Sequence, residues 1–133
     1  MTTSAYPRGV SAGGKSGLTK AGAIFALRGS FDPTSSSQVS LGVIPKNAVV
    51  VDVISYGGAT GGTNPTVDIG TSDEDGLANE LDADGVSSAV AAGTAGALIN
   101  TVLSSDTTVY GKVGGSAATG GTTSVAVLYT VTD

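Results

Sequence analysis

The chain has 133 residues, including 21 glycines but no cysteine, histidine or tryptophan, and a formal net charge of −5. The missing cysteine excludes a disulfide framework, a thiolate nucleophile and Cys-ligated zinc; the missing histidine removes the commonest general base and the commonest imidazole ligand. An enzyme of this composition would have to work with carboxylates, lysine or hydroxyls alone.

Valine, isoleucine, leucine and phenylalanine occupy 31 positions, a share above the floor below which chains fail to collapse. Sixteen of these are valine, whose branched Cβ packs well on a pleated surface. The many glycines suit the turns between short strands. Charge is uneven. Five of the six basic residues precede position 47 against the single acid Asp32, so this first part carries about +4 and the remainder about −9.

Residues 1–22 are rich in Ser, Thr, Gly and Lys and offer few groups to anchor in a core, so the expectation is a flexible basic arm. Within it, GVSAGGKS (9–16) fits the phosphate-binding pattern G-x-x-x-x-G-K-[ST], with Gly9, Gly14, Lys15 and Ser16 in place. A working phosphate loop needs a buried strand before it and a helix after it. Only MTTSAYPR precedes, and the following GLTKAGAIFALRG is interrupted by Gly17, Gly22 and Gly29. The acidic metal partner such a site requires has one candidate, Asp52 in VVVDVI, which lies mid-strand. The motif is therefore read as a coincidence of a glycine-rich arm. No apolar run approaches the roughly 18 residues of a membrane span, and no signal-peptide pattern is visible, so a soluble protein made in the cytoplasm is expected. The low pI of 4.3 and the sparse basic residues speak against direct nucleic-acid binding.

From Ala23 the texture changes. AIFALRG and SQVSLGVI read as short strands separated by the turn-prone FDPTSSS. NAVVVDVISYG (47–57) is the strongest segment, with Val49, Val51 and Val53 on one face and Val50, Asp52, Ile54 and Tyr56 on the other; it should be central in a sheet. TVDIGT (66–71) alternates with Val67 and Ile69 inward. The stretch from Thr71 to Gly85 reads as an acidic loop too polar for a strand interior. ALINTVLSS (97–105) suits a strand or one helical turn, and TTVYGKV (107–113) and TTSVAVLYTVT (122–132) are clearer strands, the last with Val125, Val127, Tyr129 and Val131 on one face. GGATGGT (57–63) echoes GGSAATGGT (114–122), as two equivalent hairpin tips would. The sum is an all-β antiparallel sandwich, jelly-roll-like, of about seven to eight short strands over 23–133.

The acidic loop holds Asp73, Glu74, Asp75, Glu80, Asp82 and Asp84, with D-x-D-G twice. Clustered oxygen ligands around a glycine turn are what Ca²⁺ prefers, yet neither copy continues as an EF-hand, so a solvated loop is the plainer reading and no cofactor is expected. No catalytic constellation emerges from the remaining residues.

The stretch LGVIPKNAVVVDVISYGGATGGTNPTVDIGTSDEDG resembles the capsid decoration, or cement, proteins of tailed bacteriophages. The likeness rests on Gly42, Val43, Ile44, Pro45, Asn47, Ala48 and Val50, then Asn64 to Thr71, then Asp73, Asp75 and Gly76, and extends over about residues 38–132. The resemblance implies a non-enzymatic sandwich on the outside of the virion, a major capsid protein as partner and a homo-oligomer, trimer or dimer. On that reading Arg8, Lys15, Lys20 and Arg28 are the docking candidates. A carbohydrate- or receptor-binding module of a tail fibre or surface appendage is the alternative, although four tyrosines are a thin supply of sugar platforms.

Overall fold

A computed structural model describes residues 23–34 and 36–132. The arm, its phosphate-loop-like motif, and Arg8, Lys15 and Lys20 lie outside the described residues.

Eight strands and one helical turn follow in chain order: β1 (Phe25–Phe31), β2 (Val39–Ile44), β3 (Ala48–Gly57), β4 (Thr66–Gly70), β5 (Ala78–Asp82), β6 (Val86–Ser88), α1 (Ala89–Ala92), β7 (Thr107–Val113) and β8 (Thr123–Val131). They form two four-stranded sheets ordered β1-β8-β3-β6 and β2-β7-β4-β5, all pairs antiparallel. The first strand pairs with the last, the second with the seventh, the third with the sixth and the fourth with the fifth. That is a long hairpin folded over on itself into two layers, the jelly-roll arrangement, and it leaves an open sandwich.

The layers meet through valine and its neighbours. Val50, Val53, Val125 and Val127 of one sheet face Ile44, Val67, Ile69, Leu81 and Val109 of the other, all essentially without solvent contact. Each such side chain contributes about 1.5–3 kcal/mol of burial, which is how a chain poor in aromatics holds two sheets together. Phe31, at the end of β1, is also buried, and beyond it Asp32 accepts the Thr34 amide at 2.9 Å and hydroxyl at 2.7 Å to shape the turn.

Four expectations need correction. The faces of β3 do not alternate throughout: the register slips between Val50 and Asp52, so the extra residue, Val51, lets both Val50 and Val53 point inward while Asp52, Ile54 and Tyr56 stay on the outer face. The acidic segment is not all loop, because Leu77, Ala78, Leu81 and Ala83 are buried and their spacing places β5 inside it. Residues 97–105 form neither strand nor helix; they make a turn and a single bridge, Val102 to Val49. The two glycine-rich echoes are not hairpin tips. Residues 58–65 carry the chain from β3 to β4 and residues 114–122 from β7 to β8, each crossing between sheets at the same end of the sandwich. They are bonded to one another, with Thr60 N donating to Gly120 O at 2.9 Å and Thr119 N to Thr60 O at 2.9 Å.

Candidate functional site

Arg28 is the docking candidate that falls within the described residues. It sits at the middle of β1 on the outer face of the β1-β8-β3-β6 sheet, opposite Ala126, which is in turn opposite Ile54. The small alanine lets the guanidinium lie across the sheet. Its Nε donates to the Tyr56 hydroxyl at 3.1 Å, and its centre stands 5.8 Å from the Tyr56 ring centroid. An exposed cation is thereby held beside Tyr56 on a face of mostly small and apolar residues. Val86 (82% exposed) and Val90 (52%) stand at the β6–α1 end of the same sheet. This face can offer an acidic partner one fixed positive charge beside apolar area.

The turn that carries Val90 is fastened by Asp52. Ser88 Oγ donates to Asp52 Oδ2 at 2.6 Å and Val90 N to Oδ1 at 3.1 Å, while Ser88 Oγ accepts from Ala91 N as the helix cap. The carboxylate considered for a nucleotide site is a structural anchor.

The six acidic residues of 73–84 do not converge. The first D-x-D-G forms the β4–β5 turn, where the Asp73 carbonyl accepts from Thr71 N and Gly76 N, both at 3.0 Å. The second lies beyond the other end of β5, where Asp84 N donates to Asp82 Oδ1 at 3.1 Å. A strand of this length separates its ends by about 15 Å. Glu74 is taken by Lys112 at 2.6 Å, which raises the lysine pKa. The hydrogen bond and like charge of Asp82 raise the pKa of Asp84. Partial burial raises that of Asp68, opposed by the Glu80 amide it accepts at 2.8 Å. Among the described residues no three acidic side chains stand where they could hold a metal ion.

An open groove of about 660 Å³ runs between residues 98–106 and the outer side of β7, lined by Thr71, Thr101, Ser104, Thr108 and Tyr110 among others. Its one carboxylate, Asp106, accepts the Lys46 amide at 2.9 Å. Sequence reading did not find this groove, because it is made by the irregular stretch 97–105. Among the described residues no helix is long and apolar enough to cross a membrane.

No protein-family model matches the chain, and no curated protein matches it in sequence. Among solved structures, a chain of the cyanophage Pam1 capsid asymmetric unit superposes with a TM-score of 0.66 at 23% identity, covering 98% of this chain and 98% of that one. A chain of the Ralstonia phage GP4 capsid gives a TM-score of 0.56 at 25% identity, over 84% of this chain and 86% of that one. Both neighbours belong to phage capsids. The likeness supports a capsid-related protein with a structural role in the virion.

Proposed function

We propose that this chain is a non-enzymatic structural virion protein that binds the outer surface of the assembled capsid and cements neighbouring capsomers. The observation that supports this most is the shared jelly roll, matched over 98% of both chains with a component of a capsid asymmetric unit. A protein that binds only the assembled lattice stabilises it by mass action, because every bound copy must leave before the shell can come apart. The charge split fits docking: five of the six basic residues lie before position 47 and ten of the eleven acids after it.

The test is made on particles. Purified virions should contain the chain in copy numbers comparable to the shell protein, and amine-reactive labelling of intact particles should modify its exposed Lys46. Particles stripped of the chain should lose their DNA at lower temperature and regain resistance when it is added back. Absence from virions, or labelling only after the shell is opened, would refute the proposal.

A further inference from the structure

A jelly roll has four edge strands, and each must keep its unpaired backbone groups from pairing with the wrong chain. Here β1, β6, β2 and β5 are the edges. β5 is covered: Asn79 N donates to Thr94 O and Gly96 N to Leu77 O, both at 2.9 Å. β6 has three residues and runs straight into α1. β1 carries Arg28 at its centre, so pairing β1 with its own copy would set two guanidinium groups against each other.

β2 carries a bulge between Ser40 and Gly42, but among the described residues no segment bonds to its free edge. Its sequence, VSLGVI, contains no charge and no proline, and Val43 on it is 55% exposed. An uncharged six-residue strand of this composition on an open edge is a pairing site. Its bulge also gives it a symmetry. Val39 lies opposite the buried Gly111, Leu41 packs on the core, Gly42 faces Leu27 and Ile44 is buried, whereas Ser40 and Val43 point outward. Read from either end, the order is in, out, in, in, out, in.

We infer that β2 pairs antiparallel with β2 of a second copy of this chain, about a twofold axis between Leu41 and Gly42. Directly opposed residues of an antiparallel pair share a face, and this register sets Ser40 against the copy's Val43 while the inward residues stay inward. The two β2-β7-β4-β5 sheets then run on as one. A β2–β2 contact brings no charged side chain of the strand itself against its copy. The pairing is independent of capsid binding.

The full-length protein tests this in solution by sedimentation over a range of concentrations. The wild type should be a dimer. Ser40→Lys with Val43→Lys sets like charges opposite each other twice and should raise the dimer dissociation constant at least tenfold. Ser40→Lys with Val43→Glu sets opposite charges there and should restore the dimer. Val86→Lys, at a still more exposed valine on an edge of the other sheet, should leave it unchanged. Because the chain has no cysteine, Ser40→Cys with Val43→Cys gives a clean crosslink; within one chain these positions lie about 10 Å apart and cannot bridge, so oxidation should yield a covalent dimer. A monomer or trimer in the wild type, a dimer that survives both lysines, or no rescue by glutamate would each overturn the inference. Binding to particles by a protein that is monomeric in solution would leave the cementing proposal standing and remove only this one.

Discussion

Ser88 donates a 2.6 Å hydrogen bond to Asp52, across 36 residues of sequence, from the last position of β6 to the outer face of β3. The same carboxylate takes the Val90 amide, so one half-buried side chain holds a short edge strand and the helical turn after it. Hydrogen bonds to a charged group contribute about 1.5–3 kcal/mol each, less where water competes. Asp52→Ala is therefore expected to lower stability by about 2–3 kcal/mol, and Asp52→Asn, which keeps an acceptor for the Val90 amide, by about half of that. Urea unfolding measures both. Equal loss in the two variants would show that the charge, rather than the bonds, fastens the turn.

Gly121 has φ of +85° and lies where the two inter-sheet crossings touch; a Cβ there would meet the Gly58 carbonyl oxygen. Backbone cannot retreat as a flexible side chain does. Gly121→Ala should cost about 2–4 kcal/mol, from the left-handed conformation and the collision together. Gly85 is the control, with open space around its Cβ position. Gly85→Ala should be neutral or stabilise by up to about 1 kcal/mol, through the lower entropy of the unfolded chain. Thermal unfolding separates them by several degrees. A Gly121→Ala protein as stable as the Gly85→Ala one would mean that the crossings are not packed as described.

What the sequence made legible was periodic. β4, β7 and β8 were readable because Val67 and Ile69, Val109 and Gly111, and Val125 and Val127 alternate cleanly with outward residues. β3 was recognisable as a central strand, but its faces were not, since a bulge at Val51 is a tertiary accommodation that leaves no mark in an apolar run. β5 was hidden by its charges: Glu80 takes a positive φ of 55° opposite Asp68, so the strand bulges and the acids project to solvent while Leu81 reaches the core. The glycine echo signalled a real relationship but the wrong one, because composition marks a turn without saying whether it stays in one sheet. Arg28 could be named as a docking candidate; that Tyr56 would orient it depends on Ala126 between them, which no local pattern encodes.

Acid should favour the fold at the half-buried Asp68. Burial raises the pKa of Asp68 above its ordinary value, so the native state keeps that proton to higher pH than the unfolded chain does. Where the native state binds more protons, stability falls as pH rises. The window opens near the unfolded value of about 3.9 and closes once the folded group has ionised. Relative to Asp68→Asn, which cannot titrate but can still accept the Glu80 amide, the wild type should lose stability across that window and run parallel to the variant on either side. Chemical denaturation at closely spaced pH values provides the comparison. A gain by the wild type with rising pH would reverse the sign and show that the Glu80 amide, with the attraction of Lys112, outweighs burial at this carboxylate.

If capsid docking uses the basic side chains, it should separate from folding. Removing residues 1–22 takes away Arg8, Lys15 and Lys20 and leaves all the buried side chains of the described residues in place, so the shortened protein should unfold at nearly the wild-type temperature yet no longer occupy stripped particles. Arg28→Glu reverses the charge on the outer sheet face and should weaken occupancy, steeply at low salt and less at high salt, because exposed charges are screened over about 10 Å at 0.1 M. Tyr56→Phe leaves the charge and frees it, removing only the 3.1 Å bond that fixes its direction. Its effect should therefore be smaller than that of Arg28→Glu. Quantifying bound copies per particle over a salt series reads all three. Full occupancy by the shortened protein together with full occupancy by Arg28→Glu would place the contact elsewhere, and the apolar residues Val86 and Val90 of the same face would be the next to change.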